Sequence, residues 1–143
     1  MRGKMRFGMA LLLVSGTLHA DIGRIKSAVG EAVIERAGQR TPATAGMPLE
    51  EADALVTGKN SSISVTFVDN TRFSAGPNSR IELSRFRFNP TTLEGSSETA
   101  VRKGSLAIIS GQIAKNGGDA MRVRTPSSIL GVRGTKFVVD VGQ

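Results

Sequence analysis

Ser62-Ile63-Ser64-Val65-Thr66-Phe67 alternates polar and apolar residues without a break. Successive side chains of a β-strand point to opposite faces, so Ile63, Val65 and Phe67 share one face and the hydroxyl residues the other. Asp69-Asn70 then predicts a turn, because both residues tolerate the left-handed backbone that a tight hairpin needs. Thr71 to Ala75 returns as a second strand, and Gly76-Pro77-Asn78-Ser79 marks another turn. Ile81 and Leu83 alternate again, but Phe86 and Phe88 are shifted in phase by one residue, which predicts a bulge or a corner.

The rest of the chain after residue 20 reads the same way. Ile22 to Val29 and Ala32 to Glu35 flank Gly30 as an expected hairpin. Residues 89–98 are polar and turn-rich and read as a surface loop between two strand groups. Leu106 to Ile109 predicts a short buried strand, Lys115 to Asp119 a turn, and Met121, Val123 and Thr125 an alternating segment. Gly131-Val132-Arg133-Gly134 reads as a turn before a last strand, Lys136 to Val141. No amphipathic helix stands out. Many short strands with few long connections predict an all-β fold, a compact roll or solenoid-like arrangement. No exact repeat period supports a regular β-helix. An outer-membrane barrel is disfavoured, since Trp and Tyr are absent and the strands fall short of the roughly 10 residues such barrels use.

The first twenty residues have a different character. Arg2, Lys4 and Arg6 precede the apolar run Phe7 to Val14, and Ser15-Gly16-Thr17-Leu18-His19-Ala20 follows. A basic segment, an apolar segment and a small-residue cleavage site in that order predict a secretory signal over residues 1–20, cut before Asp21. The apolar run is well short of the roughly 20 residues a membrane span needs. Sec-type export to the periplasm, cell surface or medium is the expected address, with no transmembrane segment left after removal of the signal.

The charge is affected by that segment. The chain carries 19 basic and 12 acidic residues. The signal holds three of the basic residues and no acid, so 16 basic residues face 12 acids beyond it. The remaining cations are scattered, and no base-stacking aromatic pattern accompanies them, so nucleic acid is not an expected partner. There is no cysteine, so an exported domain must hold itself by packing and backbone pairing.

Common catalytic equipment is missing. The one histidine, His19, lies in the signal segment, which removes Ser–His triads, cysteine nucleophiles and the usual zinc sites from the rest of the chain. No phosphate-cradling glycine loop ends in Lys-Ser/Thr. Glu50, Glu51, Asp53 and Asp69 are the candidates for a two-carboxylate glycosidase site or for calcium, though solvated and turn acids are the simpler reading. No cofactor is expected.

Three segments, in order, carry a family resemblance. They are Asp53-Ala54-Leu55-Val56-Thr57-Gly58-Lys59-Asn60-Ser61-Ser62, then Val65-Thr66-Phe67-Val68-Asp69-Asn70-Thr71, then Thr125-Pro126 leading to Val132-Arg133-Gly134-Thr135-Lys136-Phe137-Val138-Val139. Together they resemble the FecR-like domain, the periplasmic β module named for the ferric-citrate regulator. They match its Gly-Asp-x-Leu-x-Thr-Gly-x-x-Ser, its strand ending in Asp-Gly-Ser/Thr, and its terminal Val-Arg-Gly-Thr-x-Phe-x-Val. Ala52 stands where the family has Gly, and Asn70 replaces the hairpin Gly.

The resemblance covers residues 49–143, with 21–48 as an N-terminal hairpin region of the same domain. It implies this module and not the transmembrane signalling circuit. Anti-sigma members of the family look like a sigma-binding helical segment and a membrane helix followed by this domain, whereas here the domain follows a signal. The matching positions are Asp53, Thr57, Gly58, Ser61, Asp69, Asn70, Pro126, Arg133, Gly134, Thr135 and Phe137.

Turn chemistry gives these residues structural readings. Asp53 and Thr57 flank a strand and can bond the backbone of the turn that follows. Gly58 and Gly134 suit close turns. Arg133 can pair with Asp53 or Asp69, or face a ligand carboxylate. The functional expectation is a non-enzymatic cell-envelope module binding a protein or an envelope glycan. A regulatory component of iron-uptake-type cell-surface signalling is the first alternative, and a two-carboxylate carbohydrate-acting enzyme the second.

Overall fold

The computed structural model describes Gly3 and residues 20–142. The signal segment and His19 lie outside the described residues, Gly3 and Ala20 aside. The fold is all-β, with one short 3-10 turn, Ile113–Asn116. The strands are β1 (Gly23–Val29), β2 (Ala32–Arg36), β3 (Gln39–Pro42), β4 (Pro48–Leu49), β5 (Ala54–Thr57), β6 (Ser62–Phe67), β7 (Arg72–Ala75), β8 (Arg80–Phe88), β9 (Gly95–Ile109), β10 (Met121–Arg124), β11 (Ile129–Gly131) and β12 (Lys136–Val141).

They form one curled sheet with two wings. The first wing runs β4-β1-β6-β7-β9-β12 and the second β3-β2-β5-β8-β9-β10-β11. Among the described residues only the β9–β10 pair is parallel. β9 belongs to both wings: its first part pairs with β8 and β10, and its last part, from Gly104 on, with β7 and β12. The strands before residue 53 are woven into the same sheet, since β1 pairs with β6 and β2 with β5.

The core lies between the wings. Leu55 and Ile81 from one wing and Ile63 and Leu106 from the other are fully buried. Each such side chain contributes about 1.5–3 kcal/mol on leaving water. Phe67 joins the wings: its ring meets Phe73 edge-on at 4.6 Å and stacks on Phe86 at 5.1 Å. The phase shift between Leu83 and Phe86 is a bulge, with one extra residue of β8 opposite β9 between Glu82 and Arg85. It turns Leu83 and Phe86 to the same inner side while Ser84 and Arg85 stay exposed.

Several local expectations differ from the structure. β1 and β2 do not form a hairpin across Gly30; they belong to different wings, and the hairpin is β2–β3, closed by Ala37 and Gly38 at φ 50° and 78°. Two consecutive left-handed residues give the twist a two-residue hairpin needs, whereas Gly30 is a corner. The loop at 89–98 is shorter, because β9 begins at Gly95 and pairs back on Phe88. Asn89 closes the remaining turn, its side-chain oxygen accepting the Thr91 and Thr92 amides. The strand expected at Leu106–Ile109 is the end of the 15-residue β9. Its polar first half hid it, since Ser97, Thr99 and Ala100 are small yet buried. Thr125 lies past β10 in the turn to β11.

Candidate functional site

Four of the places where the chain passes between wings lie beside one another: Gly30-Glu31, Gly58 to Ser61, Gly76 to Ser79, and Gly104-Ser105. At this seam the Glu31 amide donates to Ser61 Oγ at 2.8 Å, and the Gly58 amide to the Glu31 carbonyl at 2.8 Å. Thr57 Oγ1 donates to the Gly76 carbonyl at 2.6 Å and accepts the Ser79 amide at 2.9 Å. Ser79 Oγ accepts the Ser105 amide at 3.0 Å. Glycine is required where these hydroxyls press closest. A Cβ on Gly30 would fall 2.5 Å from Ser61 Oγ, and one on Gly104 would collide with Ser79. Gly30 and Gly104 also have φ of 74° and 84°. Thr57, Gly58 and Ser61 are therefore parts of one polar seam that folds the sheet over. Thr57 bonds the β7–β8 turn rather than the one that follows its own strand, a partner 19 residues away that spacing does not reveal.

Asp53 sits at another junction. Its carboxylate is buried and takes a two-point contact from Arg36, Nε to Oδ1 and Nη2 to Oδ2, both at 2.8 Å. It also accepts the Glu50 amide at 2.8 Å, so it closes the turn before β5, not the one after. Arg36 donates as well to the Pro48 carbonyl. Hydrogen bonding to Asp53 and the charges of Asp53 and Glu50 push the Arg36 guanidinium pKa up. Ala52, at φ 75°, occupies a left-handed position that explains why glycine suits it better.

Asp69 and Asn70 make the β6–β7 turn. Asn70 has φ 69°, and Asp69 Oδ1 accepts the Thr71 amide at 3.0 Å. Asp69 Oδ2 accepts Thr71 Oγ1 at 2.7 Å and the Ile113 amide at 3.1 Å. The Thr71 hydroxyl accepts the Gly111 amide, and the Asp69 carbonyl the Gln112 amide. One buried acid thus ties a hairpin to the segment leaving β9.

The expected pairing of Arg133 with Asp53 or Asp69 does not occur: both acids have other partners. Arg133 is exposed, and its guanidinium lies across Gly118. Gly134, at φ 94°, and Thr135 are exposed; their carbonyls accept the Ser110 hydroxyl and amide. Pro126 is exposed in the β10–β11 turn. Phe137 is half-buried against the core. The motif residues therefore gather at no single cleft. They occupy the seam, two acid-centred junctions, and the β10–β12 end of the molecule.

Glu50 contacts Arg36 at 3.4 Å, and Glu51 accepts the Phe86 amide at 3.1 Å. All four acids of the two-carboxylate alternative are thus engaged by backbone or arginine. Missed in the sequence was a ladder on the second wing, Arg40–Glu35–Arg80–Glu82–Arg102, built from side chains of β2, β3, β8 and β9. Missed too was the apolar edge at β11 and β12, where Ile129, Leu130 and Val138 are exposed.

The family model described as FecR protein matches residues 53–143, from the buried Asp53 through β12. This chain belongs to the FecR family. Membership carries a cell-envelope, signalling-related reading and a regulatory rather than enzymatic background. No curated protein and no solved structure matches the FecR chain significantly. Among the described residues, no helix is long and apolar enough to cross a membrane.

Proposed function

We propose that this FecR chain is a non-enzymatic binding module of the bacterial cell envelope, exported by the segment 1–20 and working by contact with a protein partner. The single observation that carries this reading is the internal engagement of the motif. Asp53, Asp69, Thr57 and Ser61 engage backbone amides and carbonyls, one hydroxyl and one arginine within the fold, and the exposed β10–β12 end is a surface offered to a partner. An envelope glycan is the alternative ligand for the same surface.

The test is capture from envelope fractions on the immobilised protein across a range of salt. A saturable protein partner supports the reading. Recovery of none, together with hydrolysis of a glycan that is lost in Asp53→Asn or Asp69→Asn, contradicts it.

Family membership favours one second reading, a regulatory component of iron-uptake-type cell-surface signalling. It requires a receptor and a sigma factor, so their presence or absence among the neighbouring genes decides for or against it.

A further inference from the structure

Among the described residues the sheet has four outer strands, and one edge is unlike the others. β3 is three exposed polar residues followed by Pro42, which has no amide hydrogen to give. β4 has two residues and β11 three. β12 has six, and among the described residues it pairs only with β9. The Ser110 amide bonds the Thr135 carbonyl, so Thr135 and Ser110 are a hydrogen-bonded pair of that ladder. Bonded and non-bonded pairs alternate in an antiparallel ladder. Phe137, Val139 and Val141 therefore face β9 with their amides and carbonyls. Those of Lys136, Val138 and Asp140 point away from β9.

The side chains of these same three residues share the outer face: Lys136 and Asp140 are exposed and Val138 is 71 % exposed. A lysine on an edge strand ordinarily wards off pairing. Here an acid stands four residues away, with Val138 at the midpoint. We infer that β12 pairs antiparallel with β12 of a second copy about a two-fold axis at Val138, placing each Lys136 opposite the partner copy's Asp140.

This register sets every outward residue against another outward residue, so all six free amide and carbonyl groups of each edge are used. Shifting it by two residues loses a pair and sets lysine or aspartate against valine. Beneath, Phe137 of each copy meets Val139 of the other in the close, non-bonded positions, extending the core-side face across the junction. The interface is isologous and closes on itself, so it yields a dimer and not a fibre.

The test uses the purified protein in sedimentation equilibrium. The expected result is a monomer–dimer equilibrium that Lys136→Asp or Asp140→Lys weakens about tenfold, through two like-charge contacts each, and that the double exchange restores. Oxidative cross-linking gives an independent check, because the chain has no cysteine. A hydrogen-bonded antiparallel pair holds Cα atoms about 5.5 Å apart, within disulfide range. Val138→Cys should form a covalent dimer at least tenfold faster than Val68→Cys, an exposed control at 54 %. A monomer at all concentrations, charge variants that dimerise like the parent, or equal cross-linking at both sites overturns the inference. So does protection of the Lys136, Val138 and Asp140 amides from exchange only when a foreign extended peptide is added, which would assign the edge to another protein's strand.

Discussion

The Ser79 hydroxyl occupies the space that a side chain on Gly104 would need, and from there it accepts the Ser105 amide at 3.0 Å. This contact lets β9 serve both wings, because the strand crosses from one to the other at this point. Gly104→Ala adds a left-handed penalty and a collision with Ser79, so a loss of about 3 kcal/mol or more is expected. Gly38→Ala is the control: φ is similar, at 78°, but nothing lies within 4 Å. It should cost about 1–2 kcal/mol. Urea unfolding of both variants measures the difference, and equal losses would remove the seam's special role.

Asp53→Asn should destabilise the fold by about 2 kcal/mol. That lies below the loss seen when buried ion pairs are broken, because Arg36 keeps 42 % of its side chain exposed and can be rehydrated. Chemical denaturation checks the value, and a loss under about 0.5 kcal/mol would mean that the two-point contact contributes little beyond a surface pair.

Asp69→Ala leaves the Thr71 and Ile113 amides without their acceptor in a buried setting, at an expected cost of about 2–4 kcal/mol. Hydrogen exchange should localise the damage: the Ile113 amide exchanges faster, while the β8–β9 ladder changes only with global stability. Asp69→Asn keeps one acceptor oxygen and should lose roughly half as much.

Hydrogen bonds and charge from Arg80, with a smaller contribution from Arg40, hold the Glu35 carboxyl below the usual carboxylate range. A depressed folded-state pKa gives stability that is present above the unfolded value, about 4.3 for glutamate, and lost as pH falls through the folded one. Melting temperature should therefore fall as pH drops through and below that unfolded value, and Glu35→Gln should flatten the fall. An unchanged slope would show that other carboxylates carry the acid dependence.

The fold class was legible because period-two alternation and turn residues act locally. Ser62 to Phe67 with Asp69-Asn70 gave a hairpin that the structure contains, and the Phe86 phase shift gave a real bulge. Tertiary placement was not legible. Gly30 reads as a hairpin turn until the strand pairing shows that β1 and β2 part company there. The first half of β9 escaped because Ser97, Thr99 and Ala100 are buried without being large or apolar. The motif acids were visible as residues but not as contacts. Arg36 is 17 positions from Asp53 and Ile113 is 44 from Asp69, separations over which a sequence carries no pairing signal.

The central claim is that the buried motif builds the fold while recognition belongs to the exposed β10–β12 end. The most direct measurement is partner capture from envelope fractions, expressed per folded molecule, for two groups of variants. Thr57→Val and Asp53→Asn should lower stability yet leave capture by the folded fraction within about twofold of the parent, whereas Leu130→Asp and Arg133→Glu should leave stability nearly unchanged and reduce capture at least tenfold. Full stability with lost capture in Asp53→Asn, or undiminished capture in the exposed variants, would contradict the account.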